Sequence, residues 1–189
     1  MTIIGIAGTN GSGKDTVAHM LTERYGFFFA SASDMLGDEL LKRGLPLERA
    51  NKSALSTEWR RKYGLGAVVD VGLELAKKAG SQKMVVGSLR NPGEADRVHE
   101  QSGIVVWVDA DQKVRYDRIS SNNRGRVEDQ KTFAEFIAEE KIEMTHSGDE
   151  NTLNMSGVKT KADIFIENND NNIEAFKNQA EKALSNYLL

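Results

Sequence analysis

The chain has 189 residues, of which 39% are hydrophobic and 28% charged, with a formal net charge of −3. That is enough apolar material for one sizeable core, so the expectation is a single domain over 1–189, and the weakly acidic balance argues against a nucleic-acid-binding surface. The absence of cysteine excludes disulfides, cysteine nucleophiles and zinc–thiolate centres and fits a reducing compartment; the apolar N-terminal run is too short to span a bilayer, so a cytoplasmic protein with no membrane partner is expected.

In chain order, the first stretch is IIGIAGTNGSGKDT, Ile3 to Thr16, an apolar run that breaks into glycines and then reaches a lysine. It reads as strand, loop, helix start. Gly8, four residues, then Gly13-Lys14 satisfies the P-loop spacing, except that Asp15 stands where Ser or Thr is usual and Thr16 follows it. Gly8, Gly11 and Gly13 let the backbone turn its N–H groups inward, and a helix starting near Gly13 adds its positive end. Asn10 and Ser12 complete the lining. Lys14 supplies a mobile point charge for nucleoside triphosphate oxygens, Thr16 a hydroxyl, and Asp15 an oxygen for a metal ion. The competing reading is an ordinary glycine-rich turn entering a helix.

Beyond the first helix (about 14–25), short apolar runs alternate with helical patterns, the mark of a parallel sheet covered by helices. Residues 27–30 read as the second strand, ending in Ser-Ala-Ser-Asp with Asp34 in a first helical turn. Residues 35–79 read as two or three helices, too long for a simple crossover and therefore an acceptor-binding insertion (about 35–80). The third strand spans 83–87; Asn91, Pro92 and Glu94 then carry the spacing of a capped helix running to about 101. The fourth strand spans 103–109. A helical hairpin with a basic turn follows, Arg115 and Arg118 leading into Arg124 and Arg126, with its second helix at about 131–144. Residues 145–161 read as loop, 164–167 as the fifth strand, 168–172 as a turn, and 173–188 as an amphipathic closing helix.

Four stretches, GTNGSGKDT, VVGSLRNPGE, the basic hairpin from Arg118 to Asp129, and ADIFIENNDNNIEAF, resemble the nucleoside monophosphate kinase branch of the P-loop proteins, dephospho-CoA kinase and its relatives in particular. The resemblance implies an α/β P-loop three-layer sandwich: a five-stranded parallel sheet with helices on both faces, a helical lid (about 118–130) and the helical insertion. It implies transfer of the γ-phosphoryl group of ATP, with Mg²⁺, to a nucleotide-like small molecule, either a nucleoside monophosphate or dephospho-CoA. Lys14 and the lid arginines Arg118, Arg124 and Arg126 then neutralise the transferring group, while Arg90, and Arg60 in TEWRRKYGLG, grip the acceptor's phosphate. A solvated arginine turn is the alternative for the lid, surface ion pairing for Arg115 and Arg118, a capping or loop salt bridge for Arg90, and an exposed helix face for Arg60. Asp34 takes or orients a proton if the acceptor is a hydroxyl, and merely lines the site if it is a phosphate.

Two departures from the family pattern stand out. Gly87 and Ser88 occupy the strand end where many relatives carry an aspartate for Mg²⁺, which gives Asp15 a compensating role, and Gly37 stands where relatives often carry an arginine. A different class of function remains open, a nucleotide-binding regulatory or scaffold protein with little transfer. A signalling GTPase is disfavoured because no Asn-Lys-x-Asp follows.

Overall fold

The computed structural model describes residues 1–121 and 131–188. Arg124 and Arg126 lie outside the described residues. In chain order the elements are β1 (Thr2–Gly8), α1 (Lys14–Tyr25), β2 (Phe28–Ser31), α2 (Ala32–Lys42), α3 (Arg49–Tyr63), α4 (Ala67–Lys78), β3 (Lys83–Gly87), α5 (Pro92–Glu100), β4 (Ile104–Asp109), α6 (Gln112–Ser121), α7 (Phe133–Met144), α8 (Met155–Thr160), β5 (Ile164–Glu167) and α9 (Ile173–Leu184), followed by a short 3₁₀ turn, Ser185–Tyr187.

The five strands form one parallel sheet in the order β2-β3-β1-β4-β5. β1 is central and buried at every residue after the first, which is why it reads as continuous apolar sequence rather than an alternation. The period of two nevertheless sorts its side chains. Ile3 and Ala7 pack with Met84, Val86, Val105 and Trp107 against α2, α3, α4, α5 and α8. Ile4 and Ile6 pack with Val85, Val106 and Val108 against α1 and α9. Helices therefore cover both faces, as expected for a three-layer sandwich.

The register aligns the carboxyl ends: Ile6 opposes Gly87, Ser31 opposes Gly87, Gly8 opposes Val108, and Asp109 opposes Glu167. The glycine loop and the segments that carry Asp34, Arg90 and Asn168 therefore leave the sheet along one edge, the side on which open parallel sheets bind ligands.

Caps fix where the flanking helices begin. Ser31 accepts the Asp34 N–H at the start of α2, and Asn91 accepts the Gly93 N–H at the start of α5 while Glu94 takes the N–H groups of Arg90 and Asn91. Three helices, α2 to α4, lie between β2 and β3. Two expectations need correction. The second strand runs one residue later than the sequence suggests, because Phe27 turns inward, buried, as the chain leaves α1. The region 145–161 is not all loop: Asn154 caps α8, whose Met155 and Val158 enter the core, and the turn is too short to show a helical period.

Candidate active site

The loop between β1 and α1 holds its shape through glycines that nothing else could replace. Gly11 and Gly13 have φ of +81° and +95°, and a Cβ at Gly13 would lie 2.6 Å from Asn168 Nδ2 and one at Gly11 2.8 Å from the Arg115 carbonyl. Asn168 and Arg115 wall the loop from outside. Asn168, buried at the end of β5, donates to the Ser12 carbonyl at 2.8 Å; buried Arg115 donates to the carbonyls of Ala110 and Asn10 and is neutralised by Glu140 on α7. Arg115 is thus a buttress, not a surface ion pair.

Inside this wall, Lys14 is 9% exposed, and among the described residues its ammonium reaches only the Thr9 carbonyl, at 3.5 Å. Burial drives it down from its ordinary 10.5 to about 8, with Asp15 and Glu143 pulling it up and Arg90 and Arg49 pushing it down. Ser12 Oγ is buried without a hydrogen-bond partner among the described residues. A poorly satisfied buried cation beside an orphaned hydroxyl and a ring of glycine N–H groups is chemically suited to a bound anion. Asp15 is exposed and Thr16 half-buried in the first turn of α1, so both present oxygens at the rim of the cradle. Among the described residues no three His, Asp or Glu side chains cluster as a metal-binding group.

Asp109, at the end of β4, is a residue the sequence reading passed over. Its Oδ1 accepts the Thr9 hydroxyl at 2.7 Å, and its Oδ2 accepts Trp107 Nε1 and Lys159. Burial alone would raise this carboxyl, but the hydrogen bonds from Thr9, Trp107 and the Ala110 N–H, with the Lys159 charge, hold it below the usual carboxylate value. Asp109 fixes Thr9, and Thr9 positions Lys14.

Two clefts flank the loop. One, with a volume of about 260 Å³, runs from Gly11, Lys14 and Thr16 to Arg118, Asn168, Asn171 and Phe176. Arg118 spans its wall, donating to Asn171 Oδ1 and the Asp170 carbonyl; burial lowers its pKa and Asp170 opposes that. Arg118 therefore faces the β5–α9 turn. The other cleft lies between Thr9 and Asn10 of the loop, Arg49 at the start of α3, and Glu139, Glu140 and Glu143 of α7. Arg90 joins it through Glu143, which it meets at 3.2 Å.

Arg60 is not in either cleft. It is 2% exposed, and its guanidinium is held by Glu94 at 2.8 Å and by the Asn151 carbonyl, with Ser56 at 3.3 Å. The reason is local: Glu94, capping α5, carries a carboxylate into the core that only a buried cation can balance. Asp34 is exposed and its carboxylate has no hydrogen-bond partner among the described residues. At Gly87, a Cβ would stand 2.7 Å from the Phe29 ring, so a larger residue there requires that ring to shift. Beside Gly37, Lys52 from α3 lies 3.8 Å from the position of a Cβ and donates to Ser33, placing a cation next to this glycine.

The model of the AAA domain family matches residues 4–145. The UPF0200 protein of Pyrobaculum aerophilum is 30% identical over 186 residues, covering 97% of each chain. The chain belongs to the UPF0200 family. Among solved structures, this UPF0200 protein is similar to shikimate kinase from Bacteroides thetaiotaomicron (TM-score 0.60, 13% identity, 97% and 98% of the two chains covered) and to a gluconokinase from Sinorhizobium meliloti (TM-score 0.55, 16% identity, 99% and 93% covered). At these identities the likeness is one of fold, and the fold is that of the P-loop kinases. Among the described residues no helix is long and apolar enough to cross a membrane.

Proposed function

We propose that this UPF0200 protein is an ATP-dependent phosphotransferase that moves a γ-phosphoryl group to a nucleotide-like small molecule, a nucleoside monophosphate or dephospho-CoA. The observation that carries this reading is the cleft beside the phosphate loop, lined by Lys14, Thr16, Arg118 and Asn168, with a smaller recess that shares Asn10 and is lined by Arg49 and three glutamates, one of which, Glu143, ties Arg90 to it. A donor on one side and an acceptor on the other would bring the reacting oxygens together over the lysine, and positioning of this kind is most of what phosphoryl transfer needs.

In this reading the N–H groups of the loop and Lys14 hold the donor's phosphates, and Arg115 and Asn168 keep that loop from relaxing. Arg118 sits on the nucleoside side and Arg90 on the acceptor side. Mg²⁺, when bound, would neutralise developing charge between the phosphates, with Asp15 and Thr16 as its protein oxygens. Asp34 takes or orients a proton from a hydroxyl acceptor; with a monophosphate acceptor it only lines the site. Arg124 and Arg126, outside the described residues, would add fork-shaped donors. Asp15→Ala is expected to weaken Mg²⁺-dependent turnover more than metal-free ATP binding, and an equal loss in both would remove Asp15 from the metal.

The test is phosphoryl transfer from labelled ATP with Mg²⁺ to ribo- and deoxynucleoside monophosphates and dephospho-CoA, with Lys14→Ala as control. Product from one acceptor, lost in the control, supports the reading and names the acceptor. A second reading, a nucleotide-binding regulatory protein, draws on the absence of a strand-end carboxylate at Gly87, where the Phe29 ring crowds the position. Lys14-dependent ATP binding with no transfer to any acceptor would favour it.

A further inference from the structure

Arg49 and Arg90 come from different elements, the start of α3 and the segment after β3, yet share one acceptor. Glu143 near the end of α7 takes Arg49 Nη2 on Oε1 and Arg90 Nη1, at 3.2 Å, on Oε2. Neither guanidinium has another side-chain or carbonyl acceptor among the described residues, although each carries five N–H donors. The arginines Arg60 and Arg115 differ: both are buried, and each makes four hydrogen bonds to carboxylate, carbonyl or hydroxyl oxygens. The side chains of Arg49, Arg90 and Glu143 remain 34%, 29% and 20% exposed. Lys14 feels the charge of all three. Two guanidiniums thus share one carboxylate in the recess between the loop and α7, whose wall also carries Glu139 and Glu140, and two guanidiniums sharing a monoanion match a phosphate dianion better than a carboxylate.

We infer that Glu143 is an internal surrogate for the acceptor's phosphate group: it occupies the Arg49–Arg90 subsite, and an acceptor binds by displacing it. This rests on the kinase reading for the word acceptor, but not for the anion subsite itself. Arg49 then takes the role the sequence suggests for Arg60. Because Glu143 and Glu140 sit on the same helix, displacement loosens the last turn of α7 while Glu140 keeps its hold on Arg115. A partly exposed pair is broken at far smaller cost than a buried one, so the exchange is accessible to a millimolar ligand.

The test is calorimetric titration of the full chain with inorganic phosphate, in a Lys14→Met background so that the loop's own lysine contributes nothing. Glu143→Gln should raise phosphate affinity at least fivefold, and adding Arg49→Ala or Arg90→Ala should abolish the gain. A smaller gain, or one that survives loss of both arginines, overturns the inference. Hydrogen exchange supplies a second readout with Glu143 intact: phosphate should speed exchange at the end of α7, and unchanged exchange contradicts displacement. ATP titration of the native chain is the separate arm. If ATP fails to bind while the phosphate results hold, the kinase reading falls and the surrogate stands; ATP binding with flat phosphate results does the reverse.

Discussion

Lys14→Met should make the nucleotide-free protein more stable at pH 7. A buried lysine whose pKa falls from 10.5 to about 8 prefers to be neutral in the folded state, so holding it charged at neutral pH weakens the fold. At about 1.36 kcal/mol per pH unit, a difference of roughly 2.5 units corresponds to about 3 kcal/mol. The sign fixes the window. Below about pH 8 both folded and unfolded chains carry the proton and the whole penalty is present; between about 8 and 10.5 the unfolded chain binds more protons, and native stability rises with pH as the penalty is relieved. Methionine keeps the aliphatic stem and removes the charge. Urea unfolding at pH 7 should show a gain of about 3 kcal/mol, or roughly 6–12 °C in a thermal scan for a chain of this length, shrinking towards zero as pH approaches 10.5. Added ATP should stabilise the native protein, by about 2.7 kcal/mol at a hundred times its Kd, and leave the variant unmoved. A variant that is equally or less stable without nucleotide, or a difference that ignores pH, would refute the reasoning that Lys14 is kept for a ligand at the fold's expense.

Arg60→Ala strands the buried Glu94 carboxylate and should cost about 3–5 kcal/mol in urea unfolding, whereas a residue serving only an acceptor would cost less than about 0.5. Asp109→Asn keeps the shape of the side chain but weakens the charge-assisted bond that fixes Thr9; ATP affinity should fall about tenfold, with far-ultraviolet dichroism unchanged. Gly87→Asp should lower stability by about 1–3 kcal/mol through overlap with Phe29, and Phe29→Leu should recover part of the loss.

What was legible in the sequence depended on local rules. β1, β3 and β4 are buried on both faces and read as unbroken apolar runs; Asn91, Pro92 and Glu94 announce α5 within four residues; and the phosphate loop is contiguous. The illegible features are pairings between distant positions. Nothing around Arg60 says that Glu94, 34 residues on, will enclose it, and nothing around Asp109 says that Thr9 lies 100 residues back across β1 and β4. Asp109 closes a strand adjacent to the loop-bearing one, and a carboxylate ending an apolar run is the signal that could have found it. Arg49 was passed over because its meaning comes from Glu143, on a helix 94 positions away. Asn168 sits in an Asn-rich turn where any residue reads as exposed, yet it is buried against Ser12.

The measurement that bears most directly on the phosphate cradle is the proton count on ATP binding at pH 9, obtained by calorimetry in buffers of different ionisation enthalpy. A Lys14 that titrates at about 8 is mostly neutral there, and triphosphate oxygens against its ammonium would restore the charge, so binding should take up close to one proton in the native protein and none in Lys14→Met. Binding with no proton uptake, or with equal affinity in the variant, would contradict the placement of the nucleotide's phosphates on Lys14.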